Sequence, residues 1–216
     1  MLVPVTHGTA SDAAMTALFE AICDGTIPPG THLRLHDLAT QLGVSVMPVR
    51  EAIRQLAAMD LVDFEPHRGA RVRPMTKDDL QDTYATRTLL ESEAVRLAAS
   101  RFQESDELAA REALAARERF LASGDLRSAR DAHERFHFSL YEAAGNAWLL
   151  RTLQPLWRNS ERYRLESFRH PEVASLRTKQ HEEILAAVLC GDGDSAAEHL
   201  AEHLASSRDL VLPELT

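Results

Sequence analysis

The stretch Gly43–Leu56, GVSVMPVREAIRQL, restricts the possible folds of this chain more than any other. Leu42-Gly43-Val44 reads as a glycine turn that closes a short apolar helix. A second helix then opens with Ser45 at its N-cap and Pro48 in its first turn, where proline is tolerated. Val49, Ile53, Leu56 and Ala57 recur at three- and four-residue spacing, which buries one face. Arg50 and Arg54, one turn apart, fall on the remainder and stay exposed. Helix, glycine turn and a helix with a polar N-terminus is the pattern of a helix-turn-helix. Its second helix lies in the major groove of DNA and meets bases through its N-terminal residues. On this stretch alone, an ordinary helix pair in a bundle fits equally well.

The neighbouring sequence separates the two readings. A helix is expected from about residue 11 to 24, with Met15, Leu18 and Ile22 on one face, and Gly25–Gly30 is a turn cluster that no helix crosses. After the helix pair, residues 61–65 and 70–73 alternate like two strands about the turn His67-Arg68-Gly69. Three helices and a hairpin make a winged helix-turn-helix, whose basic loop suits phosphates or the minor groove. The net charge of −9 argues against a general nucleic-acid binder, but distribution matters more than the sum. From Pro66 to Lys77 there is no acidic residue, and Arg68, Arg71, Arg73 and Lys77 all fall inside.

These residues resemble the DNA-binding domain of the GntR transcription factors, over the whole run from Ile22 to Val72. The shared marks are Pro-Gly after the first helix, Leu-Ala before the turn, Gly-Val-Ser-x-x-Pro-Val-Arg-Glu-Ala, and the Arg-Gly of the wing. The resemblance implies DNA contacts at Ser45, Met47, Pro48 and Arg50, at His36 on the preceding helix, and at His67, Arg68 and Gly69; Arg54 extends the same face. Many relatives carry arginine where this chain has Val46, and often threonine where it has Met47. Losing that arginine removes a possible bidentate guanine contact, so base preferences do not transfer from relatives.

Pro74 and Thr76-Lys77-Asp78-Asp79 mark a boundary, giving domains at residues 1–75 and 76–216. Helices are expected at about 77–101, 104–123, 126–145, 147–167, 172–190 and 194–210. The expected fold is mainly α: an N-terminal winged helix-turn-helix followed by an antiparallel six-helix bundle. Arg87-x-x-Leu90-Glu91, Phe136-His137, Ala144-Gly145-Asn146, His181 and His203 resemble the ligand-sensing FCD domain of the FadR branch, and the helix count its VanR-like form.

The histidines carry the second chemistry. His133 and His137, four apart on one helix, project from the same face. If the last two helices form a hairpin about Asp192, His181 and His203 each stand 11 residues from its centre and so at one height. Each alone reads as a surface or satisfied core residue. Together, and with the resemblance, they form a four-nitrogen metal cage. In the family the first ligand is usually aspartate, where this chain has His133. Imidazole replaces that carboxylate for zinc, nickel or another borderline ion, and the neutral cage then favours an anionic effector. Without His133, the other three histidines remain as a site. Arg87 is the expected clamp for an effector carboxylate, with a surface ion pair to Glu91 as the alternative; Asn159 and Arg162 are candidates to line the pocket.

His133-Glu134-Arg135-Phe136-His137 also matches H-E-x-x-H, a zinc metallohydrolase motif in which Glu134 would be the general base and Glu161 a third ligand by distance. The longer motif fails, since Leu140 and Ala143 replace its glycine and last histidine. The reading adopted is a regulator and not an enzyme: a cytoplasmic, homodimeric repressor that binds a short palindromic operator and is released by a small organic acid held at the metal and Arg87. No apolar run approaches the roughly 20 residues of a membrane span. Two distant cysteines, Cys23 and Cys190, in apolar helical contexts suggest buried thiols in a reducing compartment.

Overall fold

The structure, a computed structural model, describes residues 9–65, 69–168 and 173–215. By its internal contacts the chain divides into two units. The first comprises Met1–Thr76 together with Arg158–Leu165; the second comprises Lys77–Trp157 and Glu166–Thr216.

In the first unit, α1 (Ala10–Cys23) starts at a capping box between Thr9 and Asp12. β1 (His32–Leu33) follows, then α2 (Leu35–Leu42) and α3 (Val46–Ala58). Gly43 ends α2 in the left-handed conformation at φ 66°, which removes the strain any side chain would add there. β2 (Val62–Glu65) and β3 (Gly69–Val72) form the hairpin, with Val62 opposite Val72 and Glu65 opposite Gly69. β3 sits between β2 and β1, so the sheet has three strands. β1 is an addition to the expected elements. It pairs His32 with Arg71 and Leu33 with Ala70, and Arg71 Nε donates to the Gly30 carbonyl at 2.7 Å. One apolar core joins Leu18 and Ile22 of α1 to Val49, Ile53 and Leu56 of α3 and Val62 and Val72 of the sheet. Leu165 packs on its edge.

The rest of the chain is helical, and all of it but residues 158–165 makes up the second unit. α4 (Lys77–Ala99) opens on Asp78 and Asp79, which favour its positive end. Its buried stripe runs Leu80, Tyr84, Arg87, Glu91, Ala94, Val95 and Ala98, so two charges occupy positions of helical core spacing. α5 (Glu104–Ser123) and α6 (Leu126–Ala143) pack closely because their facing positions are small: Ala110, Ala113 and Ala116 on one, Ala129 and Ala132 on the other. α7 (Ala147–Asn159) and α8 (Glu161–Phe168) replace the single helix expected over 147–167. Pro155 lacks the donor for a helical bond inside α7, and a turn at Ser160 separates the two; Ser160 then accepts the first backbone bond of α8, from Arg164 at 3.0 Å. The six expected helices are therefore seven α-helices among the described residues, with a short 3-10 helix at Leu212–Glu214 after the last. α9 (Ala174–Leu189) and α10 (Gly193–Val211) form the hairpin about Asp192, which caps α10 through Ser195. Cys23 is buried, but Cys190, just past the end of α9, is exposed, contrary to the sequence expectation. No described helix is long and apolar enough to cross a membrane.

Candidate nucleic-acid interface and metal centre

In the first unit, α3 presents the face the sequence suggests. Val49, Ala52, Ile53 and Leu56 are buried, while Ser45, Met47, Arg50 and Arg54 are exposed and Pro48 is half-buried. Ser45 is the N-cap by position, but its side chain makes no capping hydrogen bond, and no acidic residue lies in the first turn. The start of the helix therefore offers a hydroxyl and backbone N–H groups to an anion such as a phosphate. Arg54 lies 3.9 Å from Glu51 in an exposed pair of little energetic weight. His36 is exposed on α2, and Gly69 opens β3 at φ 91°. His67 and Arg68 lie outside the described residues. Arg71 and Arg73, part of the basic run, turn to their own unit. Arg71 reaches Gly30 and Glu65, and Arg73 pairs with Asp60 and lies 3.6 Å from Asp63.

In the second unit, α6, α9 and α10 bring His133, His137, His181 and His203 together, all of them buried. One ring nitrogen from each lies within 4.8 Å of the others. The i,i+4 pair is in direct contact, with His133 Nε2 and His137 Nε2 3.1 Å apart. The α9–α10 hairpin sets the centroids of His181 and His203 4.6 Å apart, at the common height that the spacing implies. Trp157 walls one side, 5.1 Å from His137 between ring centroids, and Phe136 lies 5.0 Å from His181.

Hydrogen bonds around the cluster fix how the rings face. The Tyr141 hydroxyl donates to Glu91 Oε2, so its oxygen is left to accept from His137 Nδ1, 2.9 Å away. His137 thus keeps its proton on Nδ1 and turns an Nε2 lone pair toward His133. His203 Nδ1 lies 3.0 Å from Gln180 Oε1, an acceptor, which places its proton on Nδ1 in the same way. Both nitrogens of His181 are fully buried, with no hydrogen-bond partner among the described residues. Burial, reinforced by His203, His137, Arg117 and Arg177, holds His181 well below the usual imidazole range. Burial and then Arg177, Arg87 and Arg117 push His203 down to about 3. Two neutral imidazoles, one with orphaned nitrogens and the other oriented through its outer nitrogen, fit a cation better than they fit an apolar core. The donor set suits zinc, nickel or a similar ion.

Arg87, 1% exposed, donates through Nε to Glu91 Oε1 at 2.6 Å and lies between the rings of Tyr84 and Trp157. Burial opposes its charge, but Glu91 outweighs that and keeps it protonated. The ion pair with Glu91 that the sequence left as an alternative is therefore formed, but it is buried and not at the surface. Asn159 and Arg162 have partners within the first unit. Asn159 Nδ2 donates to the carbonyls of Met59 and Asp60 at 3.2 and 3.0 Å, and Arg162 Nη1 donates to that of Arg73 at 3.0 Å. Both belong to the first unit, where they satisfy chain-end carbonyls of α3 and the hairpin. Glu161, the possible third ligand of a hydrolase, pairs with Arg164 in that unit as well.

Three residues of the site escaped the sequence reading. Tyr141 stands four residues after His137, so the same spacing that pairs the histidines also announces it. Gln180 and Trp157 gave no comparable signal.

The model of the FCD domain matches residues 82–206, and that of "Bacterial regulatory proteins, gntR family" matches residues 10–72. A probable D-xylose utilization operon transcriptional repressor of Paenarthrobacter nicotinovorans is 32% identical over 203 residues, covering 94% of this chain and 88% of that protein. The HTH-type transcriptional repressor GlaR of Escherichia coli (strain K12) is 32% identical over 196 residues, covering 85% and 87%. Among solved structures, E. coli McbR/YncC superposes with a TM-score of 0.81 at 22% identity over 96% of this chain and 99% of that one, a likeness of fold.

Proposed function

We propose, from the premise that the chain belongs to the GntR family of bacterial regulatory proteins and carries their FCD domain, that it is a repressor released from its operator by a small carboxylate bound beside a metal ion. That it is a DNA-binding transcriptional regulator with an effector domain, and not an enzyme, follows from the family and from the regulators it resembles. H-E-x-x-H is accordingly read as two members of a histidine cluster, with Glu134 outside it. Placement in the FadR branch, VanR-like if α7 and α8 count as one interrupted helix, is supported by the histidine set and Arg87. Action as a homodimer on a short palindrome is supported by the economy of matching a two-fold site with a two-fold protein.

The observation that carries the effector reading is the buried four-imidazole cluster with both His181 nitrogens unpartnered among the described residues. A divalent ion held there would supply a Lewis-acidic centre with positions open to an anion. The neutral donors leave the ion's charge uncompensated, which selects for a negatively charged partner. Arg87 would share that partner, since Glu91 engages only its Nε and Nη2 edge among the bonds described. Tyr141 and Gln180 hold their imidazoles in one tautomer with the lone pairs inward. Binding at the site would shift the second unit toward one arrangement and lower the affinity of the first for DNA.

The direct test is a thermal-shift series of small carboxylates on metal-loaded and chelator-treated protein. A ligand specific to the folded state at about 100 times its Kd adds about 2.7 kcal/mol. One acid class should stabilise the loaded protein and lose its effect on chelation. No shift by any acid in either state would sink the effector reading and leave the DNA-binding half standing. Tyr141→Phe should in turn weaken metal affinity about 10–100-fold in a chelator competition, because the hydroxyl that orients His137 is gone. Unchanged affinity would show that His137 needs no such orientation.

A further inference from the structure

We propose that Met47 reads the C5-methyl group of a thymine in the operator, within one or two base pairs of a guanine read by Arg50; this rests on the DNA-binding reading above. Single exposed apolar side chains are common, and Leu89, Leu108 and Trp148 are as open as Met47; what sets Met47, 67% exposed, apart is its place in the first turn of α3, on the face offered to DNA. Its neighbours behave differently: Val46 and Pro48 are half-buried and Val49 is buried. The outward face at this end of the helix therefore consists of Ser45, Met47, Arg50, Glu51 and Arg54. All but Met47 are charged or carry a hydroxyl. Its thioether tip is a poor partner for the donor and acceptor pattern of a base edge. The one feature of the major groove that rewards an apolar tip is the thymine methyl group. An unbranched thioether chain has the reach and adaptability to cover it.

Geometry links the two readers. Met47 and Arg50 lie three residues apart, about 4.5 Å along the helix axis, so their heads leave the same side. Base steps are about 3.4 Å, so the two tips address the same pair of steps. Arg50 is exposed, and among the described bonds and ion pairs it makes none, so its fork is available for the O6 and N7 acceptors of guanine. With valine at position 46, no cation precedes Arg50 on the helix. The apolar contact and Arg50 then define the first turns of α3 as its reading end, with Arg54 one turn further on.

The test starts from a duplex selected by the full-length protein from a randomised library. Each thymine is then replaced singly by deoxyuridine, which removes only the methyl group. One replacement per half-site should weaken binding about fourfold, the value of one buried methyl-sized group. Met47→Ala should bind thymine and uracil duplexes alike at that position, with the salt dependence of binding unchanged because no phosphate contact is lost. Since the side chain is exposed, the variant's circular dichroism and melting temperature should match the parent. Uracil sensitivity that persists in Met47→Ala, or its absence from the parent at every thymine, overturns the proposal. A library that enriches no sequence at all overturns the DNA-binding reading itself.

Discussion

Glu91→Ala is expected to cost the second unit about 3–5 kcal/mol, the loss typical of removing one partner from a buried ion pair. Glu91 is wholly buried and accepts from Arg87 and from the Tyr141 hydroxyl. Alanine would strand the buried guanidinium against the Tyr84 and Trp157 rings and would leave the tyrosine hydroxyl without its acceptor. Urea unfolding of the metal-free protein measures this as a drop in midpoint at unchanged slope. Replacing both charges, as in Arg87→Met with Glu91→Leu, should restore most of the loss, since the cost lies in the uncompensated charge. A loss below about 1 kcal/mol for Glu91→Ala alone would mean that Arg87 finds another partner or reaches solvent.

The second large effect is on metal affinity. His137→Ala should reduce it by more than about 100-fold, beyond the range of a change in the outer shell. His137 touches every other member of the cluster, with ring centroids 4.5, 5.2 and 5.5 Å from those of His133, His181 and His203. It is also the ring that Tyr141 and Glu91 orient. His199, on α10 but outside the cluster, supplies the control. His199→Ala should titrate like the parent in calorimetry. Parental affinity in His137→Ala would reassign the cluster to a packing role.

Features encoded within a few turns of helix were legible in the sequence. The glycine turn before α3, the buried face of that helix and the His133–His137 pair each depend on spacings of three or four residues. His181 and His203 are 22 residues apart, yet simple counting about Asp192 placed them together, because a helical hairpin preserves height. What escaped was determined at long range. β1 has two residues and no alternation of its own, and exists because β3 offers Arg71 and Ala70 as partners. The break at Ser160 was half visible in Pro155, but the destinations of Asn159 and Arg162 were not. Their partners lie roughly 90 to 100 residues away and are backbone carbonyls, which leave no mark on the sequence. The Arg87–Glu91 pair was legible as i,i+4 spacing, whereas its junction with Tyr141 spans 50 residues.

Segment 158–165 also bears on how genes for such proteins can be cut and rejoined. The first unit is not one continuous stretch of the chain, because its carbonyls at Met59, Asp60 and Arg73 are served from the far side of α7. A fragment ended at Thr76 would leave those acceptors to water and uncover the side of the core that Leu165 touches. A chimera joined at that residue would inherit a foreign copy of the segment. Compatibility between a borrowed reading head and its new sensor would then be decided by eight residues buried deep in the other half of the gene.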